Sequence, residues 1–243
     1  MASQKIRKAV IAAAGKGTRM LHLATNKPKH LIKVNNRPFL FYVLKNLKEA
    51  GIKEMILVVG HKKEAMEAFA REYRHEFSLT LVDQFKIAGT KRYGTAIPIE
   101  CAKDAVGDES FIAIFGDNMY APEDIEPLTH NDEFTYVGGL RHNHPERYGV
   151  LLTEDGYLKN IIEKPKEFVS NLINTGLAKF TPDIFDAIRY VNISPRGEYE
   201  LTDAIRILAQ KKKVKVKEIG HYWFDFGNPA DIIRVSDFLE KHR

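Results

Sequence analysis

Residues 9–20 read Ala-Val-Ile-Ala-Ala-Ala-Gly-Lys-Gly-Thr-Arg-Met, a short apolar run passing into a turn of small residues, with Pro28-Lys29 close behind. Val10 and Ile11 are β-branched, as a strand buried in a parallel sheet prefers, and the following residues leave almost no side-chain bulk. A ligand can therefore approach the backbone. Gly15 and Gly17 permit positive φ and let successive N–H groups point at an anion. Lys16, Arg19 and Lys29 can neutralise phosphate charge, and Arg19 can grip two phosphate oxygens at once.

Two commoner phosphate motifs are excluded. A P-loop requires glycine five positions before its Gly-Lys pair and Ser or Thr after it, whereas Val10 and Gly17 stand there. A dinucleotide fingerprint requires a third glycine where Met20 stands, and the second strand ends in Val-Val-Gly-His-Lys-Lys with no acid for a ribose. Taken alone, the turn is equally a glycine-rich loop with solvated cations. The rest of the chain decides.

At 243 residues and 44% hydrophobic content the chain can bury a large core. Its formal charge of +5 is spread along the sequence among 32 acids, which suits a small anionic substrate. The densest run, Lys211 to Lys217, alternates at its end like an exposed edge strand guarded by lysine, not like a nucleic-acid surface. The single cysteine, Cys101, rules out an intramolecular disulfide and is read as a buried apolar residue. The N-terminal residues lack the apolar core of a secretory signal, and no stretch approaches about 18 consecutive apolar residues, so a cytoplasmic protein away from membranes is expected.

Strand patterns at 8–13, 54–59, 78–84, 111–115 and 134–140 alternate with helix patterns at 38–50, 62–75 and 95–105. This order predicts an α/β fold with a mostly parallel, twisted sheet and helices on both faces. Ligands of such sheets bind beyond the carboxyl ends of the strands, where the first turn and Gly116-Asp117-Asn118 both lie. Residues 149–163 read as a hairpin turning at Asp155-Gly156, followed by a strand through Leu177-Ala178-Lys179-Phe180 and a strand at 214–219. Helices are expected at 183–190, 201–210 and 229–241. No linker or repeat interrupts the chain.

Three constellations carry chemistry. Asp117 should emerge at the ligand edge of the sheet, and Asp225 sits among aromatics in Trp223-Phe224-Asp225-Phe226-Gly227-Asn228-Pro229, where burial is costly without a cation. Two such aspartates facing a triphosphate suit Mg²⁺. Each alone is also an ordinary cap or turn residue. The third is Glu163-Lys164-Pro165, with Arg147-Tyr148-Gly149 before it and Asn174-Thr175-Gly176 after it. Here Lys164 can hold a phosphate, Glu163 can accept bonds from sugar hydroxyls, and Gly149 and Gly176 can let backbone approach a ring.

The ordered set of AAGKGTRM, PKH, GTA at 94–96, GDN at 116–118, PERYGV at 145–150, EKP, NTG and WFDFGNP resembles the sugar-1-phosphate nucleotidylyltransferases. The resemblance spans almost the whole chain and implies a Rossmann-like single domain, with a nucleotide half at about 1–140 and a sugar-binding subdomain at about 141–243. It implies that Ala13, Ala14, Gly15, Lys16, Gly17 and Thr18 cradle the nucleotide, with catalytic Arg19 and Lys29 on its phosphates. It further implies that Gln84, Gly94 and Thr95 meet the base side, and that Asp117 and Asp225 bind Mg²⁺. Asn118, Tyr148, Gly149, Glu163, Lys164, Asn174 and Thr175 would hold the sugar phosphate. Glu198 and Asp203, in Gly-Glu-Tyr-Glu-Leu-Thr-Asp, match a segment expected to be mainly structural. The chain departs from the family in its longer Gln84-to-Gly94 stretch and in Ala178, where many members carry an aromatic.

The implied substrates are a nucleoside triphosphate, UTP or dTTP, and a hexose 1-phosphate, glucose 1-phosphate by family frequency with N-acetylglucosamine 1-phosphate close behind. Two alternatives stay open: a cytidylyltransferase acting on another phosphorylated small molecule, and a non-catalytic regulatory binder of nucleotide sugars. Repeated hexapeptides of an appended β-helix are not seen, so acetyl transfer is not expected. Homo-oligomerisation is left open.

Overall fold

The computed structural model describes residues 5–15, 20 and 27–242. Its strands are β1 (Lys8–Ala12), β2 (Lys33–Val34), β3 (Arg37–Pro38), β4 (Glu54–Val59), β5 (Leu79–Asp83), β6 (Phe111–Phe115) and β7 (Asn118–Tyr120) in the first half. Then come β8 (Thr135–Arg141), β9 (Gly149–Glu154), β10 (Tyr157–Glu163), β11 (Leu172–Phe180), β12 (Val214–Glu218) and β13 (Trp223–Asp225). The helices are α1 (Phe39–Glu49), α2 (Lys63–Glu72), α3 (Gln84–Ala88), α4 (Ala96–Cys101), α5 (Lys103–Val106), α6 (Pro122–Ile125), α7 (Asp183–Ile188), α8 (Leu201–Gln210) and α9 (Ala230–Lys241).

Nine strands, among the described residues, form one sheet in the order β5-β4-β1-β6-β11-β8-β12-β10-β9. The mixed α/β sheet expected from the sequence is present. Strands β5, β4, β1 and β6 are parallel, as are β8 and β12, while β11 enters antiparallel between β6 and β8. The apolar runs of the parallel strands split between two cores. Ala9, Ile11, Met55, Leu57, Ile112 and Ile114 face one side with α1 and α2. Val10, Ile56, Val58, Phe111 and Ala113 face the other with α4, α7 and α8. Burial on both faces is why these strands read as unbroken apolar runs and not as alternating ones.

Three local readings need correcting. Lys211 to Lys217 does not end in an edge strand: β12 lies inside the sheet, fully paired to β8 and touching β10 at Tyr157–Lys215. Its alternation arises because Val214 is buried while Lys215 spreads its ammonium over the Phe134 ring, 3.5 Å from the centroid. Gln84 is not the last residue of a strand but the first of α3, because Asp83 caps that helix by accepting the N–H groups of Phe85 and Lys86 at 3.0 and 3.1 Å. The expected helix at 95–105 is broken into α4 and α5 at Ala102. The hairpin at 149–163 forms as expected, with Asp155 and Gly156 both at positive φ (50° and 79°).

Candidate active site

Three parallel strands end together, and their small residues exist to let them. Ala13 donates its N–H to Val58 O at 2.9 Å, and Gly116 donates to Ala12 O at 2.9 Å. A Cβ on Gly60 would stand 3.0 Å from that of Ala14, and one on Gly116 would stand 3.2 Å from that of Ala13. The alanine run and the two glycines are therefore one packing unit at the carboxyl edge of the sheet. Ala13 turns into the core below this edge, whereas Ala12, Ala14 and Gly15 line a cavity of about 790 Å³. Lys16, Gly17, Thr18 and Arg19 lie outside the described residues.

Gln84, Gly94 and Thr95 line this same cavity. The long stretch between Gln84 and Gly94 is partly wound into α3, which brings its two ends to one wall. Gln84 is only 3% exposed, and its Oε1 has no hydrogen-bond partner among the described residues. A buried unpaired acceptor is costly unless something supplies a donor. Gly94 is held at φ +130°, and a Cβ there would fall 2.3 Å from Tyr199 O, so no larger residue fits. His30, His61, Thr90 and Tyr93 also face the cavity and were not anticipated from sequence, and Glu198, expected in a mainly structural segment, lines it as well. His30 is 2% exposed, and burial followed by the charge of Lys29 pulls its imidazole down to about 4.

A second cavity of about 590 Å³ adjoins the first, and Thr95, Phe115 and Asp117 line both. It brings together Asn118, Tyr148, Gly149, Glu163, Lys164, Asn174, Thr175 and Asp225, the whole described set assigned to the sugar side and the second metal carboxylate. Strand β11 supplies its share through a break in register between Asn174 and Ala178, with Gly176 at φ +85°. Gly176 is required by the Phe115 ring, which a Cβ would meet at 2.7 Å. Gly149 faces Glu163, whose Oε1 would lie 3.0 Å from a Cβ there. The Thr175 hydroxyl donates to Gly138 O at 2.9 Å, and Asn174 Oδ1 accepts the Gly176 N–H at 3.0 Å, so both side chains also shape the strand. Lys164 adopts φ +44°, and its N–H is anchored on Tyr148 O at 3.0 Å.

The two aspartates are set by a separate ribbon, β7 against β13, in which Asn118 pairs with Asp225. Asn118 links the strands through its side chain: its amide donates to Asp117 Oδ1 at 3.1 Å, and its carbonyl accepts the Trp223 indole N–H at 2.7 Å. Lys29 is ion-paired with Asp117 Oδ2. Burial pushes the Asp117 carboxyl up, but the charge and hydrogen bond of Lys29 outweigh it and hold it below the ordinary carboxylate value. Burial and the charge of Asp225 raise the Tyr148 phenol. Mg²⁺ characteristically takes one or two carboxylates and completes its shell with phosphate oxygens and water. Asp117 and Asp225, the first ionised and both on one cavity, fit that demand.

Arg147, Arg196 and Glu200 also line the second cavity. Arg196 was missed because Ser194-Pro195-Arg196-Gly197 reads as a solvated turn; the only signal was a lone cation before the Gly-Glu-Tyr-Glu segment.

Comparison with known proteins agrees with this geometry. The nucleotidyl transferase family model matches residues 8–242. The bifunctional protein GlmU of Methanocaldococcus jannaschii is 35% identical over 235 residues, covering 95% of this chain and 54% of that protein. The chain thus spans about half the length of several curated relatives it matches. The UTP–glucose-1-phosphate uridylyltransferase AglF of Haloferax volcanii is 34% identical over 241 residues, covering 96% of both chains. A UDP-glucose pyrophosphorylase solved with UDP-glucose shares the fold, with a TM-score of 0.83 at 24% identity over 98% of this chain and 100% of the other. With its match running from the first strand to the last helix, the chain belongs to the nucleotidyl transferase family.

Proposed function

We propose that this chain transfers a nucleotidyl group from a nucleoside triphosphate to a hexose 1-phosphate, releasing pyrophosphate, with Mg²⁺ as cofactor. One observation carries the reading: two adjoining cavities share Asp117, Phe115 and Thr95, so two anionic substrates can meet at one wall. UTP with glucose 1-phosphate is the first pair, supported by the name of the Haloferax relative and by an amide at Gln84 suited to a uracil or thymine edge.

In this reading an oxygen of the sugar phosphate attacks the α-phosphorus in line; the new P–O bond forms as the bond to the β-phosphate oxygen breaks, and pyrophosphate carries away the electron pair. The nucleophile is already an anion, so no residue must act as general base. The chain's work is to orient two polyanions and cancel their repulsion. In this proposal Gly15, Lys16, Gly17 and Thr18 receive the phosphates, with Arg19 and Lys29 as cations. Gln84, Gly94 and Thr95 receive the base side. Lys164 and Arg196 face the sugar phosphate, while Tyr148, Gly149, Glu163, Asn118, Asn174 and Thr175 frame the sugar. Bound Mg²⁺ would be held by Asp117 and Asp225 and would supply further positive charge to the transferring phosphoryl group.

The proposed nucleotide half lies at about 1–140 and the sugar half at about 141–243, with Thr95, Phe115, Asp117, Asn118 and Val137 of the first half also lining the second cavity and Glu198 of the second half lining the first. The test is pyrophosphate release over a grid of four triphosphates and several sugar 1-phosphates, with and without Mg²⁺. Turnover confined to UTP or dTTP with a hexose 1-phosphate is expected. Turnover only with CTP would favour a cytidylyltransferase, and silence across the grid would favour a regulatory binder.

A further inference from the structure

One short segment touches both cavities. Glu198 faces the nucleotide side, whereas Arg196, Glu200 and Leu201 face the sugar side. The segment is fixed to the base-side loop by backbone bonds: Tyr199 N–H donates to Tyr93 O at 2.8 Å, and Ala96 N–H donates to Tyr199 O at 3.0 Å. Leu201 N–H adds a bond to the Thr95 hydroxyl at 2.8 Å. Before it, Ser194 closes a tight turn, accepting Gly197 N–H on its carbonyl at 2.8 Å and donating its own N–H to Glu198 O at 2.9 Å. The backbone of residue 200 is thus rigidly placed from both sides.

Its side chain is spent on Arg196 and Ser194. Glu200 is 7% exposed, and its Oε1 accepts from Arg196 Nη2 at 2.8 Å, from Arg196 Nε at 3.2 Å and from the Ser194 hydroxyl at 3.1 Å. Arg196, by contrast, is about half exposed (54%), a long side chain at the cavity mouth that would otherwise sample many rotamers. We propose that Glu200 is a positioning residue: it holds the Arg196 guanidinium pre-oriented toward the phosphate of the sugar 1-phosphate, with the bond between Leu201 and Thr95 as its rigid mount. The proposal rests on the reading of the second cavity as the sugar-phosphate site. A carboxylate beside an anion site would be a liability if it did nothing but sit there, because it would repel the phosphate. Its use lies in sparing the ordering cost of the arginine at the moment of binding.

The test is a double-mutant cycle on KM for the sugar 1-phosphate, using the pair that turns over in the grid above. Arg196→Ala and Glu200→Ala should each raise that KM by about tenfold, the scale of one unordered long side chain. KM for the triphosphate should stay within about twofold. The double variant should be no worse than Arg196→Ala alone, since a positioning residue has nothing left to position. Additive effects would mean that Glu200 meets the sugar itself, and an unchanged or lowered KM in Glu200→Ala would mean that it only competes for the arginine; either overturns the proposal. If Glu200→Ala fails to fold, Glu200→Gln replaces it, keeping the volume and one acceptor, with the same non-additivity expected at a smaller rise. Should Arg196→Ala leave KM for the sugar 1-phosphate unchanged, the assignment of that cavity falls, a result separate from any failure of Glu200.

Discussion

At the scale of single residues, the site trades stability for recognition, and Gln84 is the plainest case. Its Oε1 is buried without a partner among the described residues, so the folded chain carries an unmet desolvation cost that a bound base would relieve. Gln84→Met should therefore raise thermal stability, by about 1 kcal/mol, while raising KM for the triphosphate at least tenfold. Calorimetry and initial rates on one preparation check both signs, and a variant that lost stability would show that the amide is satisfied in the fold. Asp225 behaves differently because the role proposed for it is charge. Asp225→Asn keeps the shape but weakens the donor set for Mg²⁺, so turnover should fall by about 100-fold or more, as for loss of an electrostatic group acting on the transition state. Retention of near-normal Mg²⁺-dependent turnover would remove Asp225 from the metal assignment.

At the scale of elements, β11 is the strand that lines the second cavity from Asn174 to Phe180, and its anchor is Lys179. This ammonium is fully buried, yet it donates to Asp132 Oδ1 at 2.8 Å and to Asp132 O at 2.7 Å, fastening β11 to the turn before β8. Removing one partner strands the other: Asp132→Ala should cost about 3 kcal/mol, and adding Lys179→Met should recover much of it, because a buried pair replaced by apolar side chains is often nearly neutral. Burial raises the Asp132 carboxyl, but the bonds from Lys179 and Tyr136 outweigh it and leave the pKa below its ordinary 3.8. The folded state then binds fewer protons than the unfolded chain just below that value. The stabilisation is fully present above about pH 4 and is lost as pH falls through the depressed value, so Asp132→Asn should flatten the acid limb of a stability–pH curve. The same strand shows where sequence reading stops. The parallel strands β1, β4 and β6 were legible because unbroken apolar runs have few other uses, and Asp117, Lys164 and Asp225 because an acid after Gly116, a cation in Glu163-Lys164-Pro165 and an acid among aromatics each have a chemical reading. Strand β11 was seen only in its last four residues, since Asn174-Thr175-Gly176 at its register break looks like a loop. Strand β12 was misplaced because a lysine that lies over aromatic rings, as Lys215 does, alternates with its neighbours just as a lysine at a solvated edge does. Arg196 was missed because its partner, Glu200, is a contact that spacing alone does not reveal.

At the scale of the whole molecule, one nine-stranded sheet, among the described residues, takes strands from both halves of the sequence, and this predicts how the chain unfolds. Cys101, the single cysteine, lies in α4 and packs in the core on the face of α7 and α8; burial pushes its thiol up to about 11. Trp223, the single tryptophan, lies in β13 beside the second cavity. The two probes lie in opposite halves of the sequence, each packed against elements of the other half. At pH 8 the native thiol should react with an aromatic disulfide reagent far more slowly than a free cysteine, since it is both shielded and protonated. With rising urea, the onset of fast labelling should coincide with the change in Trp223 fluorescence, because β11 lies between β6 and β8 and ties both halves through backbone hydrogen bonds. If UTP binds the first cavity as proposed, adding it should move both transitions together to higher urea, although that cavity is lined mainly by first-half residues, since a ligand that binds only the folded state stabilises the whole cooperative unit. Separate midpoints, or a shift in the Cys101 transition alone, would show instead that the two halves are independently folding units joined at the site.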